Sequence, residues 1–508
     1  MLTLLSAVAL LQASVVVNGT RYFWLDDDQM ISMRYARNLV DGHGLVWNPG
    51  ERVEGYSNPL WTLVMAAVHL LPLADAHMAI PVKLLNWGLA CVVLLLSERA
   101  LRHLLPKPGL ALLALLLTLA VDLDVVYWSA NGFETTLLTA LFLLVVVRLL
   151  HEWETGHCRP LTYLLLGVLP LVRSDAYHVW AGAALLAWGL STDRDRTRRW
   201  LALSLAVPAL HLLARHWYYG EWLPNTYYLK VAGVPGRTRL GAGYLARFAR
   251  RYCVPLGFAA VGAWRARDRV RWLVWGAAAV STVYILVVGE DLFEYSRYVA
   301  HLVPLLLVLA VTAVTEVTRR SLLAQAGLLL GIFASVWCMV GVSSVGSLDD
   351  DNGEPRHGLV TGVLIDRFTR PESTIAVVAA GNTSYFGRRH AIDLLGKCDR
   401  HVARLPAHPN GYIGHNKYDP EYSLGLHPDL VVPFWTDKLV IDPFAIEQAA
   451  AGGDEYIAAV VSSPIFQRHC KSNPVPVPYL MEHNSVYVCD WSPELSRRTV
   501  WQQPEVGE

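Results

Sequence analysis

The sequence predicts a polytopic α-helical membrane protein with a soluble α/β domain at its C-terminal end. Three observations predict it. Of 508 residues, 54% are hydrophobic and 17% are charged, against about 25% charged in soluble domains. The mean hydropathy is +0.32. The apolar residues also come in long runs up to about residue 345, after which the chain turns polar and carries short β-like runs.

A spanning helix needs about 20 apolar residues. Candidate spans cover approximately 1–17, 58–74, 81–98, 134–150, 161–191, 201–216, 253–264, 272–288, 298–317 and 321–345. The run 161–191 is long enough for two segments broken near Pro170 and Arg173. The run 109–121 is short and is expected only to dip into the membrane. The expected count is ten or eleven spans. The opening run lacks the basic start of a signal peptide and is read as the first span.

Basic loops set the orientation. The segments 191–200, 265–271 and 319–320 are the arginine-rich ones and are expected on the cytoplasmic side. The Asp26-Asp27-Asp28 triplet, the segments 218–252 and 289–298, and everything after about 345 then face outward. "RLGAGYLARFARR" (239–251) is basic but outward, and reads as an interfacial amphipathic helix. Two domains are expected: a membrane domain over 1–345 and an extracytoplasmic α/β domain over 346–508. The latter contains "TIAVVAA" and "DLVVPFW" as strands, with "EYIAAVV" ambiguous between strand and helix.

Some functions are excluded by what is present. Lys+Arg and Asp+Glu both number 43, which gives no basic surplus for nucleic acid. No GxxxxGK loop, no HExxH and no CxxC spacing occurs. Of the seven cysteines, Cys470 and Cys489 could pair in an oxidising compartment; spacing alone leaves this open. "NGT" at Asn18 and "NTS" at Asn382 match glycosylation acceptor patterns that recur by chance.

The chemistry concentrates in "DDDQMISMRYARNLVDGHGLVWNPGERVEGYSNPLW" (26–61). It reads as a short amphipathic helix along the membrane surface, opened by an aspartate cap. Capping accounts for one aspartate, or two. The other reading is a general base at the membrane interface, taking a proton from an attacking hydroxyl.

This stretch resembles the first outer loop of a family of bacterial membrane glycosyltransferases of the GT-C fold, the mycobacterial terminal β-(1→2) arabinofuranosyltransferase family. The likeness continues through "NGFETTLLTALF" (131–142), "RSDA" (173–176), "YYGEWLPNTYYLK" (218–230) and "GEDLFEYSRYVAHLVPLL" (289–306). It extends into "AIDLLGKCD" (391–399), "GHNK" (414–417) and "HPDLVV" (427–432). The resemblance implies sugar transfer, with arabinofuranose the sugar most suggested, from a polyprenyl-phosphate donor to a glycan acceptor on the outer face of the bacterial plasma membrane. It implies Asp27 as base, with Asp28 orienting it or holding the acceptor, and Asp26 as cap.

Arg34, Arg173, Lys230, Arg297 and His43 are the expected donor-phosphate ligands, Arg297 foremost; a snorkelling or ion-paired side chain is the alternative for each. Glu54, Trp61, Glu134, His415 and Lys417 are the expected sugar contacts, although Asn416 stands where the family has Glu. For Glu134 a favourable helix-dipole position is the alternative. Two carboxylates near lipid are expected to titrate high. No cofactor is expected; Mg²⁺ at the aspartates is the alternative. A transferase of another polyprenyl-linked sugar, and a lipid-linked glycan transporter, are the competing functions. A transporter would place its charges near the bilayer midplane rather than at one face.

Overall fold

The computed structural model describes residues 2–266, 268–291, 293, 295–340, 353–409, 411–433, 455–476 and 483–493. Most of it is helix, and the long apolar helices pack into one bundle. Among the described residues, four helices are long and apolar enough to cross a membrane: Asp75–Leu104, Thr135–Thr155, Arg269–Val288 and Ala300–Val317. Leu110–Val121 and Leu123–Ala130, bent by 48°, together form a fifth candidate. Four shorter apolar helices accompany them: Pro59–His69, Pro160–Val172, Cys253–Ala266 and Leu322–Cys338. The ten or eleven expected spans counted apolar runs, and the fold breaks several of those runs. The break expected near Pro170 and Arg173 is present, with helices Pro160–Val172 and Tyr177–Leu190 on either side of it.

The opening run behaves differently from expectation. Its helix covers only Leu2–Gln12, and the chain then turns into a β-hairpin, β1 (Ser14–Val17) and β2 (Thr20–Phe23). The turn is Asn18-Gly19, both at positive φ (50° and 76°). That geometry matches the right-handed twist of a hairpin and favours Asn-Gly. Asn18 is therefore a turn residue.

The expected helix after the aspartates forms over Asp27–Val40, but it does not lie on a surface. Ten of its fourteen residues are buried. Its apolar side packs on helix Pro59–His69, and its arginines meet the C-terminal part of the chain. The basic amphipathic helix forms over Arg237–Arg251, with Gly241 and Tyr244 as its buried face.

In the C-terminal part, β3 (Thr374–Val377), β4 (His390–Asp393), β5 (Leu430–Val432), β6 (Cys470–Pro476) and β7 (His483–Cys489) form one sheet in the order β4-β3-β5-β7-β6. The first three strands are parallel, and β7 runs antiparallel to β5 and β6. The ambiguous "EYIAAVV" is helix Glu455–Ser462. Cys470 and Cys489 form a disulfide across β6 and β7. The expected boundary near 345 and the chain beyond 493 lie outside the described residues.

One side of the sheet shares an apolar core with the segment 24–66. Met30, Met33, Trp47 and Met65 cluster with Leu359, Ile375, Tyr385 and Leu430. The join is tightest at Gly381, where an added Cβ would collide with the Asp27 carbonyl and carboxylate. Gly381→Ala is expected to lower thermal stability in detergent by about 1–3 kcal/mol, the usual cost of overpacking. Gly425→Ala, which meets nothing within 4 Å, should leave the unfolding midpoint unchanged.

Candidate functional site

The three aspartates diverge. Asp26 caps helix Asp27–Val40, its side chain accepting from the Asp28 N–H at 3.0 Å. Asp27 points into the C-terminal part, where the Gly381 and Asn382 N–H groups donate to its two oxygens at 3.0 and 2.7 Å. Asp28 faces a cavity of about 270 Å³.

That cavity is lined by both charged and apolar side chains. Asp28, Arg173, Asp175, Lys230, Asp291, Arg297 and Lys397 supply the charge, while Ile31, Tyr177, Leu223, Pro224, Val231 and Val288 supply apolar wall. Each charged group has an identifiable support. Arg173 and Asp175 sit in the helix break of "RSDA" and hold each other through two bonds of 2.8 and 2.7 Å. Arg297 follows the loop that leaves helix Arg269–Val288 at Gly289 (φ 105°). Its guanidinium lies over the Phe133 and Phe293 rings and bonds Glu134 at 2.7 Å. Lys230 ends the short helix Asn225–Lys230, and its stem runs against Gly414, where a Cβ would stand 3.1 Å from the Lys230 Cε.

Lys397 enters from the C-terminal part. The Asp393 carboxylate accepts from the Leu395, Gly396 and Cys398 N–H groups and so fixes the turn. The Asn225 side chain donates to the Gly396, Lys397 and Asp399 carbonyls and ties that turn to the Lys230 helix. The Lys397 ammonium then reaches Asp28 at 2.5 Å, with Lys230 at 3.9 Å on the other oxygen.

These contacts separate the two carboxyls electrostatically. Burial pushes the Asp27 carboxyl up, with Lys397 and the two amides opposing it. For Asp28, burial also acts upward, but Lys397, Lys230 and Arg297 outweigh it and hold the carboxyl well below its ordinary range. The expectation that both titrate high thus fails at Asp28, because three cations surround it. Asp28 is an ionised carboxylate on the wall of an amphiphilic cavity.

Of the expected phosphate ligands, Arg173, Lys230 and Arg297 line this cavity. Arg34 does not. Its guanidinium is buried and bonds the Trp47, Ser384 and Arg389 carbonyls and the Asn48 side chain, so it clamps helix Asp27–Val40 and the loop after it to the C-terminal part. His43 is exposed and lines a different cleft, with Arg37 and Arg388.

The expected sugar contacts fall mostly behind the site. Glu54 is 3% exposed and paired with Arg215 at 2.6 Å. Trp61 is fully buried and donates to the Gly132 carbonyl. Glu134 is buried under the cavity floor, where Gln29, Asn58 and Arg297 bond it. Lys417 is buried and donates to the Tyr228, Ala232 and Ala403 carbonyls. His415 lies close to Lys397 and Lys230; burial, reinforced by those two cations, pushes its imidazole down to about 3, so it stays neutral. Asn382 is buried with its side chain on the Leu25 carbonyl, which closes it to glycosylation. Sequence reasoning did not single out Lys397, Asp175 or Asp291, although all three sit inside the quoted motifs. Among the described residues, no group of three or more His, Cys, Asp or Glu is arranged to hold a metal.

The chain is a multi-pass membrane protein of the GT-C fold. It superimposes on ArnT from Cupriavidus metallidurans in the apo state with a TM-score of 0.52 at 12% identity, covering 96% of this chain and 97% of that one. The undecaprenyl-phosphate-bound structure of the same protein gives 0.53 at 13% identity, over 77% and 85% of the two chains. In sequence, the chain is similar to the terminal β-(1→2)-arabinofuranosyltransferase of Mycobacterium tuberculosis: 25% identical over 392 residues, covering 66% of this chain and 61% of the relative. It thus spans about three-fifths of that relative's length. The namesake from Corynebacterium glutamicum is 44% identical over 48 residues, 9% of this chain and 7% of that one. A family described as a domain of unknown function, DUF8728, matches residues 351–471.

Two outcomes test the supporting contacts. Arg215→Met leaves Glu54 buried and unpaired, and should cost about 3–5 kcal/mol in thermal unfolding. The His415 imidazole is held neutral in the fold but protonates below about pH 6.5 once unfolded. Folding stability should therefore fall as pH drops from 7.5 towards 5, and fall less in His415→Gln.

Proposed function

We propose that this chain transfers a sugar from a polyprenyl-phosphate carrier to a glycan acceptor at the extracytoplasmic face of the membrane, with Asp28 as general base. The observation that carries this reading is the setting of Asp28: an ionised carboxylate facing a cavity lined by four cations and by apolar side chains. A lipid phosphate matches both kinds of lining. The name of the Mycobacterium tuberculosis relative supports arabinofuranose as the sugar. The undecaprenyl phosphate bound to Cupriavidus metallidurans ArnT supports a polyprenyl carrier. The disulfide Cys470–Cys489 supports an oxidising compartment, and so an extracytoplasmic position, for the C-terminal part.

In the proposed reaction the acceptor hydroxyl oxygen bonds the anomeric carbon as that carbon's bond to the phosphate oxygen breaks. Asp28 takes the hydroxyl proton, and the carrier phosphate leaves with the electron pair. Lys230 is the loosest of the four cations, with its side chain 23% exposed and 3.9 Å from Asp28. It is the first that a phosphate would engage, and Arg297, Arg173 and Lys397 complete the cradle. Phosphate binding also draws Lys230 and Lys397 away from Asp28. Its carboxylate then regains basicity when the acceptor needs it. Asp27 acts through the backbone, holding helix Asp27–Val40 against the C-terminal part. The site's own residues supply charge stabilisation without a metal in this scheme.

Transfer from synthetic polyprenyl-phospho-arabinofuranose to an arabinan acceptor, by purified protein in detergent, tests the reading. Asp28→Asn should lower kcat by about 10²–10⁴-fold, the usual span for a lost general base. Asp27→Asn should lower thermal stability and leave kcat of the folded fraction within about tenfold of wild type, far less than a lost base costs. A reversed pattern would return the base to Asp27. Transfer of a different polyprenyl-linked sugar, with arabinofuranose inert, would keep Asp28 and change the substrate.

A further inference from the structure

The bundle carries a second charged cavity at its other end. Helix Ala79–Leu104 begins beside the site, where Lys83 donates to the Ala130 carbonyl, and helix Thr135–Thr155 begins at Glu134 under the cavity floor. Helix Ala79–Leu104 has 26 residues, about 39 Å of length, which exceeds the hydrocarbon thickness of about 30 Å. Its far end therefore reaches the opposite membrane interface. There Arg99, Arg102, His103, Arg148, His151 and Arg159 line a cavity of about 560 Å³.

The charges in it are only partly answered. Arg102 is bonded by Glu98 and His103 by Glu154. Arg148 donates to Thr162, whose hydroxyl is turned to Glu152. Among the described residues, Arg99 and Arg159 have no carboxylate within ion-pair distance; Glu152, on the same wall, accepts from the Arg159 backbone N–H and answers its guanidinium only at longer range. Pro106, Leu144 and Val147 add apolar lining. Exposed Leu161 and Leu164 continue along the helix that follows Arg159, and Leu95 stands one turn from Arg99. A cationic pocket opening onto exposed leucines fits a molecule with an anionic head and acyl chains. The basic segment Arg194–Arg199 stands at the same end, since Asp193 and Thr197 line a small hollow with Glu152 and Trp153.

We propose that this cavity binds the phosphate headgroup of an anionic phospholipid in the leaflet opposite the sugar-transfer site. Arginine forks take the phosphate oxygens and the leucines take the first acyl methylenes. The site needs no donor, acceptor or turnover, so it stands or falls independently of the proposed reaction.

Native mass spectrometry of the full chain in detergent tests it, with equimolar phosphatidylglycerol and phosphatidylcholine, and with inorganic phosphate in a separate arm. Phosphatidylglycerol is expected to be retained at least tenfold over phosphatidylcholine. The exposed double variant Arg99→Gln/Arg159→Gln should lose most of that preference while keeping the wild-type unfolding midpoint in detergent without lipid. An undiminished preference in the double variant would overturn the proposal. So would retention of inorganic phosphate equal to that of phosphatidylglycerol, because the acyl contacts would then contribute nothing.

Discussion

The rest of the structure depends on the grip of the Gly381 and Asn382 amides on the Asp27 carboxylate. It is a charge-assisted contact, shielded from water, between chain segments 354 and 355 residues apart. It fixes where helix Asp27–Val40 meets the sheet, and so where Asp28 points. Arg34 repeats the grip one side over, on the Ser384 and Arg389 carbonyls. Between them the two residues convert an amphipathic helix into a buried strut. The apolar cluster of Met30, Met33, Trp47, Ile375 and Tyr385 fills the space between the two grips. Closely packed side chains of this kind are barely compressible, so the cavity wall is held in one place.

The site itself is built by neighbours of neighbours. Asp393 shapes the turn that offers Lys397, and Asn225 locks that turn to the helix ending in Lys230. Gly414 leaves room for the Lys230 stem, and Lys417 bonds the carbonyls on either side of it. Motifs far apart in the chain thus act on two ammonium groups that share one carboxylate. The cost of burying these charges is offset only because each has a partner. Among them Lys230 keeps the longest and most exposed contact.

Some of this was legible in the sequence. The aspartate cap, the break at Arg173 and the amphipathic helix near 239–251 follow from local pattern, because capping, proline breaks and amphipathic periodicity act over a few residues; that Arg173, Lys230 and Arg297 line one cavity was expected only through the motifs of the family resemblance. The hairpin at Asn18-Gly19 was also legible, since Asn-Gly between apolar runs is a turn signal; a hydropathy reading of the first twenty residues hid it. Glu54, Trp61 and Lys417 were misread for another reason. A polar or aromatic residue in a distinctive motif looks the same whether it touches a ligand or a carbonyl. The answer lay in partners such as Arg215, 161 residues from Glu54. Lys397 and the division of labour between Asp27 and Asp28 needed the docking of the C-terminal part, which no local window contains.

The delivery of Lys397 from so late in the chain also orders events during synthesis. Its partner Asp28 lies 369 residues earlier, and the turn that presents Lys397 leans on a strand of a sheet completed by β7. While the ribosome is still feeding the helices into the bilayer, the cluster lacks its tightest cation and the support of the C-terminal part. The nascent protein therefore passes through membrane insertion with Asp28 unpaired by Lys397, and the charge arrangement comes into being only when the last part of the chain has folded and docked.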